Sequence, residues 1–110
     1  MGQKILIFTA TYNEAGNVEA FLKAIDQLNL EVDVLIIDDN SPDQTWKIVK
    51  NYSENKKNIH LIIRNKKDGL DTAHKMAYNY SIKNDYDFFI TMDADLSHDP
   101  AAIPQFISEL

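Results

Sequence analysis

The chain has 110 residues, 45% of them apolar and 10% aromatic, which is one domain's worth of core and too little for two. Eleven basic residues against seventeen acidic ones leave a net charge of −6 and no basic stripe, which argues against nucleic acid as a partner. Cysteine is absent, excluding disulfides, thiolate catalysis and zinc–cysteine sites and fitting a reducing compartment.

Taken in order, the elements alternate. Ile5 to Thr9 is a short β-compatible apolar run. Val18, Phe21, Leu22, Ile25 and Leu28 recur at helical spacing, with Asn13 as the expected N-cap. Val32 to Ile37 reads as a second strand. Asp43 to about Asn55 reads as a second helix, with Trp46, Val49 and Tyr52 on one side and Ser41 or Asp43 near its start. Ile59 to Ile63 is a third strand, and Leu70, Ala73, Ala77 and Tyr80 mark a third helix. Tyr86 to Met92 is a fourth strand. Ile103, Phe106, Ile107 and Leu110 begin a fourth helix, opened by Pro100. The order βαβαβαβα, with nearly continuous apolar strands, predicts an α/β fold with a parallel sheet and helices on both faces, a Rossmann-like unit. The last helix stops with the chain, which reads as a truncated architecture. No segment approaches the ~20 apolar residues of a membrane span. No basic-then-apolar leader opens the chain, so a cytoplasmic location is expected.

In open α/β sheets, ligands bind beyond the carboxyl ends of the strands. The polar residues collect there: Thr11-Tyr-Asn-Glu14, Asp38-Asp-Asn-Ser-Pro-Asp43, Arg64-Asn-Lys-Lys-Asp-Gly69 and Asp93-Ala-Asp-Leu-Ser-His-Asp-Pro100. Asp93 and Asp95, two apart on an extended segment, point the same way. Paired carboxylates repel unless a cation lies between them. Oxygen-only ligands suit Mg²⁺ or Mn²⁺, which would let an acidic protein hold a diphosphate. An Asp-capped, solvated turn is the alternative for the pair alone, but its place after the apolar Phe88-Phe-Ile90 favours the metal. For Asp38 and Asp39, recognition of a base or ribose stands beside an Asx turn, with Asp39 the better ligand. Asn13 reads as a cap, Glu14 as first-turn chemistry, and Tyr12 as a cover for a base or for the sheet edge. Arg64, Lys66 and Lys67 before Gly69 form a basic loop that can hold phosphate or simply be solvated. His60 is expected at the surface start of a strand, His74 on a helix flank, and His98 near the site.

The four segments Thr11–Glu14, Ile37–Asp43, Gly69–Ala73 and Met92–Pro100 resemble, in order and spacing, the N-terminal half of a family 2 glycosyltransferase with the GT-A fold. Asp-Ala-Asp-Leu-Ser-His-Asp-Pro resembles the dolichol-phosphate (polyprenol-phosphate) mannosyltransferase group most closely. The resemblance covers essentially all of residues 1–110. It implies a nucleotide-sugar-binding unit and a metal-dependent transfer of a sugar, mannose from GDP-mannose, to a lipid phosphate. Carried over by position, Tyr12, Glu14, Ile37 and Asp39 would line the nucleotide pocket. Asp93 and Asp95 would meet the diphosphate through Mg²⁺ or Mn²⁺, with Asp95 central to catalysis and Ala94 beside the ribose. Ser97 stands where the group often has Gln, so its metal-side contact is weak or water-mediated. The lipid acceptor implies peripheral contact with the cytoplasmic face of a membrane. Two departures stand out: Ala10 replaces the usual proline, and Asp71 stands where glycine is common. The acceptor-binding half of the family does not follow in these 110 residues.

Other classes fit less well. A Mg²⁺-dependent phosphatase would use Asp93 as nucleophile and Asp95 as acid, but needs supporting residues further along than the 15 that follow. A dinucleotide-binding dehydrogenase lacks its Gly-x-Gly-x-x-Gly. A receiver domain would carry its acidic pair after strand one. The non-enzyme alternative is a catalytically incomplete nucleotide-sugar binder, or a half-domain that self-associates along an exposed sheet edge.

Overall fold

The computed structural model describes residues 4–27, 31–65 and 70–92. These hold β1 (Ile5–Thr11), α1 (Val18–Gln27), β2 (Val32–Asp38), α2 (Thr45–Ser53), β3 (Ile59–Ile63), α3 (Leu70–Lys83) and β4 (Phe88–Thr91). The fourth helix expected after Pro100 lies outside the described residues. All described strand pairs are parallel, in the order β3-β2-β1-β4, so the predicted α/β architecture stands. Ile5 lies opposite Val32 and Phe88, and Val34 lies opposite Ile59. Because β2 and β4 flank β1 on opposite sides, the direction of winding reverses at β1. Such a switch point is where ligands enter open α/β sheets.

Strand alternation sorts the core onto two faces. Ile5, Ile7, Val32, Val34 and Ile36 face α1 and α2, against Val18, Phe21, Leu22, Ile25 and Val49. Leu6, Phe8, Leu35 and Ile37 face α3, against Ala73 and Ala77. Burying each large apolar side chain stabilises by ~1.5–3 kcal/mol, which explains why both faces of β1 and β2 are apolar. The two alanines leave α3 close to the sheet. His74 then sets its edge on Phe8 at 5.2 Å and Tyr78 its edge on Phe89 at 6.2 Å. His74 is thus a half-buried packing residue on the helix flank.

The amino edge of the sheet is closed by side chains. The Lys4 amide donates to Asp87 Oδ2 at 2.7 Å, and Lys4 Nζ donates to the Asn84 carbonyl at 2.6 Å while lying over the Tyr86 ring. The Tyr86 hydroxyl donates to Asp33, a residue of β2. Burial, then the hydrogen bond and charge of Asp33, push the Tyr86 phenol well above its ordinary value. His60, expected at the surface start of a strand, is half-buried: its Nε2 is enclosed and lies 3.5 Å from Asp33 Oδ2, and its ring lies 6.0 Å from that of Tyr80 on α3. No helix among the described residues is long and apolar enough to cross a membrane.

Candidate functional site

At the opposite edge, β1 and β2 end in register, with Thr11 beside Asp38. Asp38 is completely buried, and three donors satisfy it. The Thr11 hydroxyl donates to Oδ1 at 2.6 Å, the Ser41 hydroxyl to Oδ1 at 2.7 Å, and the Ser41 amide to Oδ2 at 2.9 Å. Asp38 is therefore the turn-forming carboxylate of the pair, with no lone pair aimed at solvent.

Asp39 lies above it, its amide donating to the Thr11 carbonyl at 3.2 Å. Its carboxylate takes both arms of Arg64: Nε to Oδ1 at 2.5 Å and Nη2 to Oδ2 at 2.8 Å. The third arm, Nη1, donates to Thr72 Oγ1 on α3 at 2.6 Å. The two charged side chains are only 9% and 11% exposed. Arg64 reads from sequence as part of a basic loop that holds phosphate or is solvated; its guanidinium joins β2, β3 and α3. Planar, bidentate pairing is what guanidinium and carboxylate do when water is scarce.

Tyr12 is partly exposed at this edge, and Glu14 accepts from the Asn17 side chain at 3.1 Å. Asn13 does not cap α1. Its backbone is left-handed, with φ 58°, and the helix starts at Val18, whose amide donates to the Glu14 carbonyl at 2.9 Å. Ile37 is fully buried against α3, so its side chain belongs to the core beneath the site. Ala10 continues β1 in place of a proline, and Asp71 is exposed in the first turn of α3. Asp93, Ala94, Asp95 and Ser97 lie outside the described residues, as do Lys66, Lys67, Gly69 and His98. β4 leads toward that stretch: the Met92 amide donates to the Phe8 carbonyl at 3.0 Å, keeping the strand beside β1 to its end. Among the described residues no group of three acidic or histidine side chains could hold a metal ion.

Sequence reading missed the hydroxyls. Thr11, Ser41 and Thr45 are all buried and bond the acids of these loops. A strand-terminal threonine in register with a strand-terminal aspartate was the available signal. A groove of about 400 Å³ beside Tyr52, between α1 and α2, contains none of the predicted site residues.

Comparisons with known proteins agree with this architecture. The chain is 32% identical over 104 residues to an undecaprenyl-phosphate mannosyltransferase of Micrococcus luteus, covering 94% of this chain and 43% of that protein. It is 34% identical over 109 residues to a dolichol-phosphate mannosyltransferase of Pyrococcus furiosus, covering 97% of this chain and 30% of that protein. The chain thus spans less than half the length of these relatives. A solved mannosyltransferase from Pyrobaculum calidifontis, in complex with GDP-Man and Mn²⁺, shares the fold with a TM-score of 0.76 at 22% identity, over 86% of this chain and 28% of that one. The sequence profile of glycosyl transferase family 2 matches residues 6–110. With a parallel β3-β2-β1-β4 sheet and an acid-rich carboxyl edge, the chain belongs to glycosyl transferase family 2.

Proposed function

We propose that this chain is the donor-binding part of a metal-dependent glycosyltransferase that moves mannose from GDP-mannose to a polyprenyl or dolichyl phosphate. The observation that carries this reading is the carboxyl edge at the β1 switch point. There Tyr12, Glu14 and the Asp39–Arg64 pair share one rim of the sheet. Similarity to the two lipid-phosphate mannosyltransferases supports the acceptor class. The structure that shares the fold holds GDP-Man with Mn²⁺, which supports the donor and a divalent ion.

In this reading Tyr12, Glu14 and Asp39 receive the nucleotide, with Ile37 beneath them. Asp93 and Asp95 are the residues that would hold Mg²⁺ or Mn²⁺, with Ser97 as a weak or water-mediated contact and Ala94 beside the ribose. Carboxylate oxygens suit these hard ions. When bound, the ion offsets charge on the diphosphate. An oxygen of the acceptor phosphate forms the new bond to the sugar's anomeric carbon as the bond to the diphosphate breaks. No protein nucleophile is required. A lipid acceptor would bring the working protein into peripheral contact with a membrane, at its cytoplasmic face in this reading.

Calorimetric titration with GDP-mannose, with UDP-glucose for comparison, tests the reading in Mn²⁺ and again in EDTA. Saturable, metal-dependent binding that Asp95→Ala abolishes is expected. Absence of binding to a chain shown folded by circular dichroism overturns it.

A further inference from the structure

Three successive main-chain amides of the β1–α1 loop are taken by side chains of the β2–α2 loop and of the first residue of α2. Asn13 N donates to Ser41 Oγ at 2.9 Å, Glu14 N to Thr45 Oγ1 at 2.9 Å, and Ala15 N to Asp43 Oδ2 at 3.0 Å. Consecutive amides around a left-handed residue form a concavity that collects anions in many proteins. Asn13 is that residue, with φ 58°. Here the chain fills the concavity itself, with one carboxylate and two hydroxyls.

The return contacts make it a clasp. Asp43 N donates to Asn13 Oδ1 at 3.4 Å. Asp43 Oδ1 accepts the Thr45 hydroxyl at 2.6 Å and the Thr45 amide at 3.0 Å. Thr45 Oγ1 therefore relays between Glu14 and Asp43, and Thr45 is fully buried at the start of α2. Ser41 ties the same assembly to buried Asp38. Two non-glycine residues of the second loop, Asn40 (φ 54°) and Gln44 (φ 63°), are held in left-handed backbone to permit it. Unsupported, such conformations cost free energy, so the hydrogen bonds and the strain are mutually dependent.

We infer that Asp43 and Thr45 are positioning residues for nucleotide binding, holding Tyr12 and Glu14 through the backbone of residues 13–15 without touching the ligand themselves. The inference rests on the reading that Tyr12, Glu14 and Asp39 receive the nucleotide. With the clasp cut, binding has to order a loop that is otherwise already in place, and affinity falls by roughly tenfold. The loss comes with little change in metal dependence.

The test compares wild type, Thr45→Val, Thr45→Ser and Asp43→Asn. Thr45→Val removes only the relay, and Thr45→Ser keeps it. Asp43 is exposed, so Asp43→Asn keeps the protein readable where Thr45→Val does not fold. Two quantities are measured: GDP affinity in Mn²⁺ by calorimetry, and hydrogen exchange of the Glu14 and Ala15 amides in the ligand-free chain. The expected result is faster exchange at these amides and roughly tenfold weaker GDP binding in Thr45→Val and Asp43→Asn, with both restored in Thr45→Ser. Wild-type GDP binding matched within twofold by Asp43→Asn and by any folded Thr45→Val overturns the inference and leaves the functional reading intact. A wild-type chain that binds no GDP overturns the reading, and the inference falls with it.

Discussion

Thr9 and Thr11 sit on the same face of β1, almost equally buried, and differ in one respect. Thr11 donates to Asp38, whereas Thr9 Oγ1 has no hydrogen-bond partner among the described residues. A buried hydroxyl without a partner carries its full desolvation penalty. Thr9→Val keeps the shape and deletes the penalty, so it is expected to stabilise the fold by ~1 kcal/mol, seen as a raised Tm. Thr11→Val strips a donor from a buried carboxylate and is expected to cost ~1–3 kcal/mol. Equal Tm values for the two variants would contradict this account. Asp43 adds a pH signature. Desolvation pushes its carboxyl up, but the Thr45 hydroxyl and the Ala15 and Thr45 amides outweigh it and hold it below the ordinary 3.8. A depressed folded value means stability that is present above 3.8 and lost as pH falls through the folded value. The stability gap between wild type and Asp43→Asn should therefore narrow below pH 3.8 in urea titrations across that range. Of the acids, Asp39 is the one the sequence offers as the better ligand. Its pairing with Arg64 was not legible, because the two meet only once β2 and β3 pair in register, with Asp38 opposite Ile63.

Elements were legible where periodicity was strong. Val18, Phe21, Leu22 and Ile25 name the buried face of α1, and β3 has the bounds its sequence predicts. Boundaries set by partners were not legible. β1 continues two residues past Thr9 because β2 continues to Asp38 beside it. α1 starts at Val18, later than an Asn13 cap implies, because the amides of residues 13–15 serve side chains of another loop. The α3–β4 turn is fixed from outside too, by the Tyr86 hydroxyl on Asp33. Tyr86→Phe leaves that carboxylate one donor short and is expected to cost ~1–3 kcal/mol at neutral pH. The phenol's folded value is raised, so its contribution is complete below the unfolded value near 10 and is lost as pH climbs through the folded one. Wild type should lose its advantage over Tyr86→Phe in that alkaline range, and a gap constant to pH 12 would argue against the assignment. Phe21→Ala empties the centre of the α1 face at an expected ~3–5 kcal/mol, measurable by urea unfolding.

At the scale of the whole molecule, one ion pair holds three elements. Arg64 joins the ends of β2 and β3 to α3 through Asp39 and Thr72. Arg64→Ala leaves a nearly buried carboxylate without its guanidinium, and removing one partner of such a pair typically costs ~3–5 kcal/mol. Arg64→Met together with Asp39→Leu should recover much of that stability while losing nucleotide binding. Recovery of both would remove Asp39 from the site. The strand order carries a temporal consequence. β1 lies between β2 and β4, and the Lys4–Asp87 bond that closes the β4 side spans 83 residues. About fifty residues separate the ends of β2 and β4, roughly 3–10 s at the pace of a ribosome. Through that interval the nascent chain holds β1 with one flank awaiting its neighbour, and Phe8 awaits the stacking of Phe89. An unpaired flank of that kind is prone to mispairing, so aggregation of the nascent chain is most favoured in the interval before residues 88–91 leave the ribosome.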